Sequence, residues 1–249
     1  MIDRTRDLTA TPDLSQTHSR TGPARVRKPV YVDLLPPCND ACPAGENIQA
    51  WLAHVKVGDD EKAWRQLTLD NPFPVIHGRV CYHPCESACN RLYLDDEVRI
   101  HGVERFLGDR AIENGWTFGQ VPLSSGRKVL VVGAGPSGLS AAYHLRRLGH
   151  QVTVREAGPM IGGMMRFGIP SYRLPREILD AEMARITDMG VTVELNAKVE
   201  SLDDARAEFD AVFLAVGAHI GKRAYIPAGE SAKIMDAVEM LRDMETGEQ

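Results

Sequence analysis

No stretch of this 249-residue sequence approaches the roughly 18 consecutive apolar residues that a membrane-spanning helix needs, and its first residues lack the apolar core of a secretory signal. Membrane insertion and export are not expected, and the cytoplasm is the expected compartment. Basic residues are in short supply: 29 Lys and Arg stand against 34 Asp and Glu, a formal net charge of −5, and no basic stripe dominates any segment. That argues against the electrostatic footprint of nucleic-acid binding. The sequence has no internal repeat, coiled-coil heptad or low-complexity tract. Cysteine is present, but five thiols are an odd number in a chain without an export signal, which favours reduced thiols or metal ligands over a disulfide framework. What remains is an ordinary composition, 43% apolar, enough for one large packed domain or two small ones.

The most informative stretch is Val131-Val132-Gly133-Ala134-Gly135-Pro136-Ser137-Gly138. It follows an apolar strand pattern, Lys128 to Val132, and opens a helical pattern over 139–148. Gly133 permits a tight strand-to-helix turn, Gly135 lets a pyrophosphate approach the backbone, and Gly138 lets the helix pack close to the sheet. The helix N-terminus adds free N–H groups and partial positive charge for phosphates. A second strand, Gln151 to Arg155, ends at Glu156, whose carboxylate can accept hydrogen bonds from ribose hydroxyls. Strand, turn, helix, strand and acid in this order predict an adenine-dinucleotide site, without separating FAD from NAD. A glycine-rich turn in some other α/β protein is the plainer alternative.

Residues 1–28 are polar, without apolar periodicity, and read as a flexible leader. Residues 29–113 hold all five cysteines and helical patterns at 48–57, 61–69 and 100–112, so a helical domain is expected there. Residues 114–126, rich in Gly, Pro and Ser, read as a linker. The α/β segment, 127–230, has a further helix at 175–189 and strands at 191–195 and 211–216. Residues 231–249 begin a connection, with a helix over 231–244.

Cys38-x3-Cys42-Pro43 and Cys81-x3-Cys85-x3-Cys89 set the thiols in two groups. Proline directly after a cysteine is a feature of ferredoxin-type cluster motifs, so an iron–sulfur centre is the sharper reading. A four-thiolate zinc site, which usually carries shorter C-x2-C spacing, and buried unligated cysteines are the alternatives. His54, His77, His83 and His101 read as structural or solvent-exposed, and no catalytic nucleophile or base is nominated.

Together these motifs resemble the small (beta) subunit of bacterial glutamate synthase and its relatives, the NADH-dependent ferredoxin:NADP oxidoreductase large subunit and the N-terminal half of dihydropyrimidine dehydrogenase. The resemblance covers about residues 30 to 245. It runs through Cys38-Asn39-Asp40-Ala41-Cys42-Pro43, His77-Gly78-Arg79-Val80-Cys81, Cys85-Glu86 and Cys89. It continues through Gly133 to Gly138, Glu156, Ile161-Gly162-Gly163-Met164-Met165-Arg166-Phe167-Gly168-Ile169-Pro170, Arg173-Leu174-Pro175 and Leu214-Ala215-Val216-Gly217-Ala218.

The fold this implies is a small all-α iron–sulfur domain followed by an incomplete α/β Rossmann-like FAD-binding domain. By the same resemblance FAD lies along Gly133, Ala134, Gly135, Pro136 and Ser137, with Glu156 at its ribose. Gly162, Gly163, Met164 and Arg173 fall near its pyrophosphate and isoalloxazine, and Val199 and Gly217 complete the cofactor-binding set. One 4Fe-4S cluster is implied on Cys42, Cys81 and Cys85, with Glu104 at the position of the fourth ligand. A solvated helix carboxylate is the plainer reading of Glu104.

The family's first motif has two further cysteines where this chain has Val30 and Asp33. Valine cannot ligate iron and aspartate offers a hard oxygen, so a second cluster using Cys38 and Cys89 is not expected. The resemblance implies hydride transfer from NAD(P)H to FAD and single-electron passage through the cluster to a catalytic or electron-accepting partner subunit. The second Gly-rich turn that relatives use for NAD(P)H is not among these residues, so the chain alone is expected not to oxidise NAD(P)H. The alternative is a non-enzymatic docking module that binds a cluster or zinc and holds no flavin.

Overall fold

A computed structural model describes residues 35–119, 121, 123–218 and 235–247. The leader expected at 1–28, together with Val30 and Asp33, lies outside the described residues, as do 231–234 of the last expected helix. From Pro37 onward the chain clusters as one unit.

The helical part opens with α1 (Pro37–Ala41) and α2 (Ile48–Lys56), the latter capped by Asn47, whose side chain accepts a hydrogen bond from the Ala50 N–H. In α3 (Asp60–Leu67), capped by Asp59, the helical period puts Ala63, Trp64 and Leu67 on one buried face. It continues through α4 (Pro74–Val80), α5 (Pro84–Ser87), a 3-10 turn (Asn90–Tyr93) and α6 (Ile100–Glu113). Proline suits the first position of α4 and of α5 because no N–H is needed there. Gly78 and Gly108 let α4 and α6 touch backbone to backbone: a Cβ on Gly78 would lie 2.5 Å from Arg105 N, and one on Gly108 2.6 Å from Val75 N. Ile48, Trp51, Trp64, Leu67, Ile100 and Leu107 fill the core between these helices.

The α/β part runs β1 (Lys128–Val132), α7 (Pro136–Arg147), β2 (Gln151–Arg155), α8 (Met164–Phe167), α9 (Arg176–Thr187), β3 (Thr192–Glu194), α10 (Leu202–Glu208), β4 (Ala211–Leu214) and α11 (Ala237–Thr246). The four strands are parallel in the order β3-β2-β1-β4, with Val131 opposite Val154 on one side and Phe213 on the other. The chain leaves β1 toward β2 and returns to its far side with β4. A crevice therefore opens at the carboxyl end of β1, where ligands bind in open parallel sheets. Most boundaries shift by one or two residues from the sequence expectation, and α11 begins at Ala237, past the expected start at 231. α7 begins at Pro136, three residues early, because proline is favoured at a first helical position, and β4 ends at Leu214, two residues short of 216.

The two parts share a core. Phe73, Val75 and Ile76 pack with Val131, Leu139, Tyr143, Val154, Leu179, Met183 and Ile186. The segment read as a linker takes part, since Phe118 stacks on Trp64 (5.5 Å between ring centres) and tilts onto Tyr143 (4.6 Å). No helix among the described residues is long and apolar enough to cross a membrane.

Candidate dinucleotide and metal-cluster sites

The Gly-rich turn leaves β1 at Gly133, whose N–H donates to the Arg155 carbonyl and whose φ of 104° lies where only glycine is comfortable. A Cβ there would stand 2.4 Å from the Ala215 carbonyl oxygen, and one on Gly138 would stand 1.9 Å from the Gly133 carbonyl oxygen. The turn is thus closed tightly against β4 and against the first turn of α7. The Gly162-Gly163 loop reaches the same place: the Gly162 N–H donates to the Ala134 carbonyl at 2.8 Å, and a Cβ on Gly163 would lie 2.7 Å from Gly135 Cα. The result is a strip of bare backbone at the N-terminus of a 12-residue helix, whose first N–H groups have no acceptor inside the helix. Pro136, Ser137 and Met164 beside it are exposed.

Glu156 closes the strip. One carboxylate oxygen accepts from the Ala134 N–H at 2.7 Å and the other from the Gly158 N–H at 2.9 Å. Each oxygen keeps a lone pair for a further donor such as a ribose hydroxyl. This cradle fits a dinucleotide pyrophosphate: side chains are excluded where the phosphates would lie, and donors are left facing the space. Arg173 is exposed, its backbone N–H donates to the Pro170 carbonyl at 3.0 Å, and its charge is felt by His83. Val199 instead packs its side chain against Leu130, Val132, Ala205 and Phe209, and Gly217 is exposed after β4 at a φ of 70°.

Five unpaired thiols stand in the helical part. Cys38 lies in α1 and Cys42 just after it, Cys81 ends α4, Cys85 is buried in α5, and Cys89 is buried at the start of the 3-10 turn. Electrostatic coupling sorts them. Burial pushes the Cys85 thiol up to about 12, with the charges of Cys42, Glu86 and Cys81 adding to it. Burial also raises Cys42, which feels Glu46 and Glu104, and raises Glu104 well above the carboxylate range, with Glu46 and Cys81 adding. Cys38 is raised by burial and feels Cys89. Cys85 thus feels Cys42 and Cys81, Glu104 interacts electrostatically with Cys42 and Cys81, and Cys38 does so with Cys89.

Glu104 is 6% exposed, so it is not a solvated helix carboxylate. The Asn71 amide donates to it at 2.7 Å and to Glu46 at 2.8 Å, and the Trp51 indole N–H donates to the other Glu46 oxygen. Burial favours the protonated forms of Cys42, Cys85 and Glu104, and a metal centre bound there would ionise them. Three soft thiolates plus one carboxylate form a donor set that suits an iron–sulfur cluster. The His83 N–H already donates to Cys81 Sγ at 3.4 Å.

A cavity of about 310 Å³ opens beside the cradle, between it and α4. Its walls are Ile76, His77 and Val80 of α4, which leads directly into Cys81, and Pro136, Met164 and Ile169 of the dinucleotide side. Burial pushes the His77 imidazole down to about 4, so it is neutral there. His83 and His101, read from the sequence as structural or solvent-exposed, stack their rings at 3.8 Å. Their separation in sequence gave no signal of that contact.

Residues 34–116 match the family described as dihydropyrimidine dehydrogenase domain II, 4Fe-4S cluster, and residues 131–193 match the NAD(P)-binding Rossmann-like domain. The NADP(+)-dependent formate dehydrogenase subunit beta of Moorella thermoacetica is 38% identical over 236 residues, 84% of this chain and 33% of that protein. The glutamate synthase [NADPH] small chain of Mycobacterium tuberculosis is 37% identical over 211 residues, 83% of this chain and 43% of that one. The NADPH-Fe(3+) oxidoreductase subunit beta of Geobacter sulfurreducens is 38% identical over 208 residues, 79% and 31% respectively. The chain thus spans between 31% and 43% of the length of these relatives.

Proposed function

Because this chain is a homologue in the glutamate synthase small-chain family, we propose that it holds FAD and one 4Fe-4S cluster and passes electrons between NAD(P)H and a partner subunit. The observation that supports the reading is the cavity between the glycine cradle and α4, whose walls come from the dinucleotide side and from the helix that leads into Cys81. The named relatives are subunits, a small chain and two beta subunits, which supports a partner for this chain.

FAD held there would supply the exchange between hydride and single-electron chemistry, and a cluster would supply one-electron transfer. The chain's own residues bind, orient and insulate. Gly133, Ala134, Gly135, Ser137 and the Gly162-Gly163 loop present backbone to the pyrophosphate, and Glu156 fixes the ribose. Cys42, Cys81, Cys85 and Glu104 hold the cluster, while Asn71 orients the Glu104 carboxylate. Ile76, Val80, Met165 and Ile169 line the space between with apolar groups that exclude water. Neutral His77 adds no charge to that space.

Anaerobic reconstitution with FAD, iron and sulfide tests the reading. The expected product retains flavin bands near about 370 and 450 nm, as flavoproteins do, on top of a broad cluster absorption. Cluster absorption with no retained flavin would replace this reading with a docking module.

A further inference from the structure

Beside the thiol sites stands a group of side chains with a different chemistry. His83 lies in the turn between α4 and α5, Glu86 in α5, and His101 in the first turn of α6. One ligand atom from each comes within 4.8 Å of the other two. The Glu86 carboxylate oxygen accepts from the His101 backbone N–H at 3.0 Å and lies 2.7 Å from His101 Nδ1. The second ring, His83, stacks on His101 with an interplanar angle of 24°.

An ordinary packed histidine pair accounts for part of this arrangement but not all of it. His83 adopts a left-handed φ of 55°, uncommon outside glycine, although histidine is among the side chains that tolerate it. Its Nε2 is buried and has no hydrogen-bond partner. A buried polar atom without a partner is rare, and a missing ion is one of its recognised explanations. The three residues are half-buried, so the group is reachable from solvent. We propose that His83, Glu86 and His101 form a mononuclear site for a divalent transition metal of the zinc class, distinct from the cluster ligands.

Two imidazoles and one carboxylate are the donor set of open zinc and non-haem metal sites, and they differ in softness from the thiolates nearby. A metal would take a neutral imidazole and a carboxylate as ligands in place of the His101–Glu86 contact and release any displaced proton to solvent.

The experiment uses the cluster-loaded protein, equilibrated with zinc chloride and desalted, with metal analysis and zinc-edge X-ray absorption. The expected result is about one retained zinc per chain in an oxygen and nitrogen shell near about 2.0–2.1 Å, without sulfur near about 2.3 Å. His83→Asn, which tolerates the left-handed backbone, and His101→Gln should each lower zinc affinity by at least about tenfold, with iron content and melting temperature unchanged. A sulfur shell, no retained zinc, or equal affinity in both variants would overturn the proposal. The shell measured on the unsubstituted protein decides the question even if a variant fails to fold.

Discussion

At Glu156 a single side chain ties two backbone segments together, because its two oxygens take N–H groups from the turn after β1 and from its own loop after β2. The carboxylate is held at the mouth of the cradle before any ligand arrives. Replacing it by alanine removes the acceptor for a sugar hydroxyl and two anchors of the loop, each worth on the order of 1 kcal/mol. Valine at Gly135 would set a branched side chain where the pyrophosphate approaches. Equilibrium dialysis with FAD should show weaker retention in Glu156→Ala and none in Glu156→Ala combined with Gly135→Val. Unchanged occupancy in the double variant would remove FAD from this turn.

The glycines and Glu156 were legible because the fingerprint is local: strand, turn, helix and acid are consecutive. Glu104 was legible only through resemblance, since nothing in its own segment announces that Asn71 and Glu46 bury it.

Among the elements, α4 shows why some of the fold was not legible. Its residues Pro74, Val75, Ile76 and Gly78 are all buried, so no polar face marks a helical period. It is wedged between α6 and α9 and is held from outside: fully buried Glu182 of α9 accepts from the Val75 N–H at 3.2 Å and from Arg185 at 2.7 Å. By contrast α3, α6 and α7, with one buried face each, were read to within a few residues.

Burial pushes Glu182 up to about 7, against the opposing pull of Arg185 and Arg79. A carboxyl raised in the folded state binds its proton more tightly than in the unfolded chain. Its contribution is therefore full below the ordinary carboxylate range and is lost as pH rises through about 7. Urea midpoints of the iron-free protein should fall between about pH 5 and pH 7, and Glu182→Gln, which keeps an acceptor for the Val75 N–H, should flatten that slope. An identical slope in the variant would assign the pH dependence to other groups.

Over the whole molecule, the helical and α/β parts are bound by one core, with Ile76 and Phe73 among the side chains of β1, β2, α7 and α9. All three tryptophans, Trp51, Trp64 and Trp116, lie in the helical part or just after it, while far-ultraviolet dichroism reports both parts. A shared core means that the two probes should follow one transition. Ile76→Ala should shift both midpoints together by about 2–5 kcal/mol. Separate transitions would show that the parts fold independently. The sequence suggested a hinge at 114–126 from its Gly, Pro and Ser content, but composition does not reveal that Phe118 bridges Trp64 and Tyr143.

The central claim is that one cluster sits on Cys42, Cys81, Cys85 and Glu104 beside a flavin site. Iron and sulfide analysis of the anaerobically reconstituted chain tests it most directly. The expected content is about four irons per chain, the complement of a single 4Fe-4S centre, retained in the Cys38→Ala, Cys89→Ala pair and lost in Cys81→Ala. About eight irons per chain, or loss of iron in the Cys38 and Cys89 pair, would contradict it.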